Sequence, residues 1–312
     1  MIGVDLGSNT FRAVQLECRT LEPVAVYEKI VRTADGLVET GRISEAAVDR
    51  VVEAAREAKA RLDFSEPVEA VTTEAMRRAV NGAEVLRELE ERAGLRFRII
   101  DGREEAAYTL LAVRIRLEKL GRAARSFVLA DIGGGSTEVL FFREGETFSR
   151  SFPVGIVTIA QRYGSLDAIA RALPAETAPL ADFVREARAE GFAPELFVST
   201  AGTPTTVAAM TLGMDYATYD PLRINGTVLP KEALPKQLAR LLALDEKGRQ
   251  ALVGVGREDL IAAGILIFER LYDLLGFEAS TVVDDGLREG VAIAGCRGLG
   301  GRPNEILTEF GI

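Results

Sequence analysis

Three apolar, β-rich stretches open the chain, at Ile2–Leu6, Phe11–Glu17 and Val24–Val31, and predict three successive strands. Apolar residues then recur at helical spacing over Ser44–Leu62, with Ser44 placed to cap the helix. Val68–Val71 predicts a short strand. Asn81–Ala93 predicts a helix stopped by Gly94, and Phe97–Ile100 another strand. Gly102–Leu120 predicts a helix whose early glutamates suit the positive end of its dipole. After a short basic segment at Gly121–Arg125, the expected hinge, the pattern restarts. Phe127–Asp131, Ser136–Phe142 and Thr147–Phe152 are again three strands. Helices are expected through Gln161–Tyr163 and over Asp167–Glu190, then a strand at Leu196–Ser199 and a helix from Pro204. The chain closes with a long core helix, Asp259–Leu275, a strand at Thr281–Val283 and a last helix near Leu287–Ala294.

This is a repeat of architecture within one α/β chain. Asp5-Leu6-Gly7-Ser8-Asn9-Thr10 and Asp131-Ile132-Gly133-Gly134-Gly135-Ser136-Thr137 each form the turn between the first two strands of a half. Two similar α/β domains are expected, 1–121 and 122–312, facing one another across a cleft, with the last helix packing back on the first domain. Closure of the two domains about the hinge follows from that design.

Composition narrows the chemistry. A length of 312 residues suits two domains, and 47% apolar with 27% charged residues is ordinary for a globular protein. The longest apolar runs, such as Leu260–Phe268, fall far short of a membrane span of about 20 residues. Met1 leads directly into a core strand with no leader sequence, so a cytoplasmic location is expected. Cys18 and Cys296 have no partner at metal-ligand spacing and read as small buried apolar residues, a disulfide being unusual in that compartment. Histidine is absent, which excludes Ser-His-Asp and Cys-His catalysis, His-ligated zinc and a phosphohistidine intermediate. Acid–base work must then come from carboxylates, lysine, tyrosine or metal-bound water. A net charge of −9 argues against nucleic acid as partner, though a local arginine cluster could still hold a polyanion.

The turns carry the candidate chemistry. In Asp131–Glu138 a strand delivers an acid, three glycines allow close backbone approach, and Ser136 and Thr137 add hydroxyls. Asp131 is placed to hold a divalent cation. A plain hairpin needs neither three glycines nor acids on both sides. Asp5–Thr10 is weaker alone, but as the repeat of the second loop it reads the same way. Ala201-Gly202-Thr203, between a strand and a helix N-terminus, has the form of an anion site. Asp284-Asp285-Gly286 is a third acidic–glycine turn, which also reads as a plain solvated turn.

Together these stretches resemble the exopolyphosphatase / guanosine pentaphosphate phosphohydrolase (Ppx/GppA) family, in the superfamily of sugar kinases, actin and heat-shock chaperones. The resemblance rests on Val4–Phe11, Thr73–Asn81, Ile100–Ala106, Asp131–Glu138, Thr200–Thr203 and Asp285–Gly290, in the family's order and nearly end to end. Tyr219-Asp220-Pro221 and Asn225-Gly226 resemble its short members, although the family pattern has His-Gly at the latter. Long members carry an extra helical region with a His-Asp metal signature, which this chain lacks, so the short two-domain type is the match.

The resemblance implies two ribonuclease H-like (actin-like) domains of duplicated fold around an interdomain cleft. It implies Glu105 as general base activating water, supported by Glu138. It implies Asp5, Asp131 and Glu138 as ligands of Mg2+, with Mn2+ as the substitute. Phosphate would be held by Ser8, Asn9, Thr10, Arg77, Gly133, Gly134, Gly135, Ser136, Thr137, Gly202 and Thr203. The expected activity is an exopolyphosphatase removing terminal phosphate from inorganic polyphosphate, as a monomer or homodimer without membrane partners. Guanosine pentaphosphate is the alternative substrate. A kinase or ATPase of the same superfamily would need an adenosine site, and a non-catalytic nucleotide- or polyphosphate-binding protein is the alternative from a different class. The acids Asp5, Glu105, Asp131 and Glu138 weigh against that last reading.

Overall fold

A computed structural model describes residues 1–122, 125–258, 260–301 and 305. The chain divides into two compact units, Met1–Ala112 with the segment from Gly286, and Val113–Asp285. The expected hinge includes residues 123 and 124, and the expected start of the long core helix is residue 259. All three lie outside the described residues.

The first unit begins with β1 (Ile2–Leu6), β2 (Thr10–Glu17) and β3 (Glu22–Ile30). There follow α1 (Leu37–Thr40), α2 (Glu45–Lys59), β4 (Val68–Thr72), α3 (Glu74–Arg78), α4 (Gly82–Ala93), β5 (Phe97–Ile99) and α5 (Gly102–Lys119), whose residues from Val113 on count with the second unit. Its sheet runs in the order β3-β2-β1-β4-β5. The first three strands pair antiparallel, and β1, β4 and β5 run parallel. Burial explains the order: β1 is buried at every position, as a central strand must be, while the edge strand β3 is mostly solvated. Ser44 does cap α2, accepting from Ala47 N at 3.2 Å, and Gly94 ends α4 in the left-handed conformation at φ 60°.

The second unit holds β6 (Ser126–Ile132), β7 (Thr137–Arg143), β8 (Glu146–Phe152), α6 (Ile156–Tyr163), α7 (Leu166–Glu176), α8 (Ala178–Ala189), β9 (Leu196–Thr200) and α9 (Gly202–Thr211). It continues with α10 (Pro221–Ile224), β10 (Thr227–Pro230), α11 (Ala233–Leu242), α12 (Glu246–Val253), α13 (Ile261–Leu275) and β11 (Ala279–Val282). Its sheet order is β10-β11-β9-β6-β7-β8. Without the antiparallel edge strand β10, this repeats the first unit strand for strand, three antiparallel then two parallel. The duplication expected from the two acidic–glycine turns is therefore present in the backbone. The single helix expected over Asp167–Glu190 is two, broken at Thr177, because Pro179 lies in the first turn of α8, where its missing N–H costs nothing.

The last helix, α14 (Leu287–Cys296), belongs to the first unit and packs on β1, β2 and β4. The approach is close. A Cβ at Gly290 would lie 1.9 Å from the Tyr108 carbonyl, and one at Gly3 2.2 Å from the Arg288 carbonyl. This packing corrects the reading of the cysteines. Cys18, just past the end of β2, is exposed, Cys296 ends α14 half-buried, and the two form a disulfide. Sequence separation of 278 residues hides a pairing that the helix-on-sheet contact brings about. Among the described residues no helix is long and apolar enough to cross a membrane.

Candidate active site

In the first unit, Asp5 is the penultimate residue of β1 and is buried. Arg12 stands directly opposite on β2, and Arg12 itself donates to Glu28 on β3 at 3.2 Å. The turn beyond Asp5 is held from outside. Gly7 N donates to Thr10 O at 3.0 Å, Val31 N and Arg32 N both donate to Asn9 O at 2.9 Å, and Ala34 N donates to Ser8 O at 2.8 Å. Ser8, Asn9 and Thr10 are all buried by these contacts.

Glu104 and Glu105, adjacent in sequence, have separate fates. Asp101 Oδ1 accepts from Arg103 N and Glu104 N, both at 2.9 Å, and so starts α5. Glu104 turns to Arg98, at 2.6 Å. Glu105, 9% exposed, receives Arg77 Nη1 on Oε2 at 3.3 Å. Arg77 also donates to Ile100 O at 2.5 Å and to Glu74 Oε2 at 2.8 Å. Burial pulls the Arg77 guanidinium downward, but Glu105 and Glu74 outweigh it and leave it above the ordinary arginine value. Arg77, expected to hold phosphate, thus fixes Glu105 in this structure. The sequence signal for that role was thin, because α3 is only five residues long and its partners come from α5 and the end of β5.

In the second unit, Asp131 on β6 stands opposite Glu138 on β7, and beside Thr200 at the end of β9. Like charges directly opposite one another destabilise a sheet. Two hydroxyls soften this: Ser136 Oγ donates to Glu138 Oε1 at 2.7 Å, and Ser151 Oγ to the same oxygen at 2.6 Å. Thr137 Oγ1 donates to Val154 O at 2.6 Å. The hydroxyls of Ser136 and Thr137, expected to meet phosphate, are in this structure engaged within the loop and its surroundings.

The glycine loop leans on the N-terminus of α6. Gly133 O accepts from Ile156 N at 3.1 Å, Gly134 O from Val157 N at 2.8 Å, and Gly135 O from Thr158 Oγ1 at 2.9 Å. With their carbonyls engaged, Gly134 and Gly135 keep backbone N–H groups that reach no backbone acceptor among the described residues. Such N–H groups are the donors an anion needs. Gly155 makes the contact possible, since a Cβ there would lie 2.3 Å from Gly134 O. Sequence reasoning missed Gly155, whose only signal was a glycine placed just before a helix.

At the third loop, Ala201 takes φ 70°, in the left-handed region, and launches α9 with Gly202 and Thr203. Thr203 is fully buried and its hydroxyl lies against Gly264 of α13, where a Cβ would come within 2.3 Å of it. Its backbone N–H is then what it can offer an anion. The Asp284–Asp285 turn holds no vacant carboxylate for a ligand: Arg116 Nε and Nη2 bind Asp285 at 2.7 and 3.0 Å, and Tyr219 OH donates to Asp284.

Residues 12–295 match the Ppx/GppA phosphatase family. This chain belongs to the Ppx/GppA phosphatase family. Exopolyphosphatase 2 of Mycobacterium tuberculosis is 30% identical over 319 aligned residues, spanning 93% of this chain and 97% of that one. The guanosine-5'-triphosphate,3'-diphosphate pyrophosphatase of Aeromonas hydrophila is 28% identical over 92% of this chain, which spans 58% of that longer protein. Among solved structures, the Aquifex aeolicus member of the Ppx/GppA family superposes with a TM-score of 0.70 at 27% identity, covering 95% and 97% of the two chains. An exopolyphosphatase from Cytophaga hutchinsonii reaches a TM-score of 0.81 at 22% identity over 96% and 98%, a likeness of fold. As a Ppx/GppA phosphatase the chain is an enzyme, and the two units just described are that family's two α/β domains.

Proposed function

We propose that this Ppx/GppA phosphatase is an exopolyphosphatase that releases the terminal phosphate of inorganic polyphosphate with Glu105 as general base. The observation that carries this reading is the division of labour between two adjacent glutamates. Glu104 is tied to Arg98, while Glu105 is buried and held on one oxygen by Arg77. A carboxylate so placed can take a proton from water as the water oxygen bonds to the terminal phosphorus. The bridging P–O bond breaks, and the shortened polyphosphate leaves with the electron pair.

The N–H groups of Gly134 and Gly135, and those of Gly202 and Thr203, would meet the charged phosphate oxygens. The opposed carboxylates of Asp131 and Glu138 form an all-oxygen pair, the donor type a hard divalent cation takes. Asp131 and Glu138 would hold Mg2+ or Mn2+, which when bound would offset charge on the transferred phosphoryl group.

Phosphate release with magnesium from long-chain polyphosphate, guanosine pentaphosphate and ATP, measured in parallel, tests the substrate. Preferential release from polyphosphate is the expected outcome. Preference for the guanosine compound, the substrate in the name of the Aeromonas relative, would keep the residues and change the substrate. No release from any of the three would overturn the reading.

A further inference from the structure

A connected polar network in the second unit has no part in the chemistry proposed above. Its centre is Asp285, whose side chain is 12% exposed and whose partner Arg116 is 10% exposed. Arg116 binds both carboxylate oxygens, and Asn225 Nδ2 adds a third hydrogen bond to Oδ2 at 3.0 Å. The other end of the same amide, Asn225 Oδ1, accepts from Asp284 N at 2.7 Å. Asn225 therefore bridges two successive residues, one through a side chain and one through the backbone. An ion pair alone would fix the carboxylate of Asp285. The second point of attachment fixes the path of the chain.

That path matters because the carbonyl of Asp285 accepts from Thr200 Oγ1 at 3.0 Å. Thr200 is fully buried beside Asp131, and the next residue is Ala201 in the left-handed region. A non-glycine residue there costs energy and persists only when its surroundings enforce it. Thr200 is the anchor on the N-terminal side of that residue. Asp285 holds Thr200, and Asn225 with Arg116 holds Asp285.

We propose that Asn225 is a positioning residue that sets the 200–203 loop for substrate phosphate by bracing the Asp284–Asp285 turn. The proposal rests on the reading of that loop as phosphate-binding. It assigns the third acidic–glycine turn the role of a brace in place of a cation ligand.

The Asn225→Ala substitution removes both attachments and leaves the Arg116–Asp285 pair. The expected result is a KM for polyphosphate about tenfold higher, the loss of one charge-assisted hydrogen bond, with kcat within about twofold. Backbone amides of residues 200–203 should exchange hydrogen faster, with little change in Tm. Asn225→His provides the conservative rescue. A neutral imidazole has one donor and one acceptor and can make both bonds, whereas imidazolium cannot accept from Asp284 N. Its KM should therefore approach wild type at alkaline pH and rise as the ring protonates. Unchanged KM and unchanged exchange in Asn225→Ala would overturn the proposal, as would a parallel fall of kcat and Tm with KM constant. If the wild-type protein released no phosphate from any substrate, the phosphatase reading would fail by itself, and the exchange of residues 200–203 would still judge the brace.

Discussion

The two halves of the molecule share one sheet topology and differ at the same position of it. In each, the first strand delivers an aspartate to a hairpin turn. Asp5 meets Arg12 across the ladder, whereas Asp131 meets Glu138. The first half thus sets a cation opposite its acid in the ladder, and the second sets a second acid there. Duplicated backbone does not imply duplicated chemistry. The half with opposed acids and three glycines carries the loop proposed to meet phosphate, and the half with Glu105 and Arg77 carries the proposed base.

The sharpest way to break this comparison is at the base. Glu105→Gln should cut kcat by about 10²- to 10⁴-fold, while Glu104→Gln, which weakens the contacts to Arg98 and to Asp101 N, should retain most activity. Comparable losses in the two variants would remove the distinction on which the mechanism rests. Steady-state phosphate release decides it.

A second contrast concerns how each half fastens its last helix. The first unit uses the Cys18–Cys296 bridge between the end of β2 and α14. Replacing Cys18 by Ser should lower stability by about 2–5 kcal/mol without changing kcat at ambient temperature. Urea unfolding with and without reductant checks it. Equal midpoints for wild type and variant under oxidising conditions would show the bridge to be energetically idle.

The acids offer a third, smaller effect. Glu138→Gln should raise the magnesium concentration for half-maximal activity by about 10- to 100-fold. Asp5→Asn should raise it less, because Asp5 already faces Arg12. The reverse order, read from magnesium titrations, would place the main cation ligand in the first unit.

Much of this was legible in the chain. Apolar, β-rich stretches, glycine stops and repeated Asp-x-Gly turns gave the α/β halves and both loops, because these features depend on local backbone chemistry. What stayed hidden depends on tertiary placement. Arg77 stood out in the sequence, but its partners Glu105 and Ile100 O are 28 and 23 residues away. The contacts of Ser136 and Thr137 were not legible, because a hydroxyl in a glycine loop carries no sign of where its hydrogen goes. No element is predicted from the sequence between 221 and 253, where the structure has α10, β10, α11 and α12, all short, and β10 is a four-residue edge strand ending in proline. Asn225, at the C-terminal end of α10, lies in that region; the sequence marks it as a departure from His-Gly, and its contacts to Asp284 and Asp285 come from the fold.

The smallest predicted effect sharpens the second contrast from the other side. The second unit fastens α13 without a covalent bond. Tyr272 OH reaches Leu229 O at 2.8 Å on β10 and Ser280 Oγ at 2.7 Å on β11, and Ser280 Oγ continues to Ser199 Oγ on β9 at 2.9 Å. Tyr272→Phe removes the hydroxyl and should cost about 1–2 kcal/mol. Burial pushes the Tyr272 phenol up to about 12 from an ordinary value of 10. A phenol held neutral in the fold stabilises it fully below pH 10, and that contribution is lost as pH rises from 10 towards about 12. Wild type should therefore lose stability over that alkaline window, and Tyr272→Phe should lose less, so that the two Tm curves converge. The disulfide of the first unit has no phenol to titrate, and Cys18→Ser should run parallel to wild type there. Parallel curves for Tyr272→Phe as well would mean that the tyrosine is not what ties α13 to its sheet.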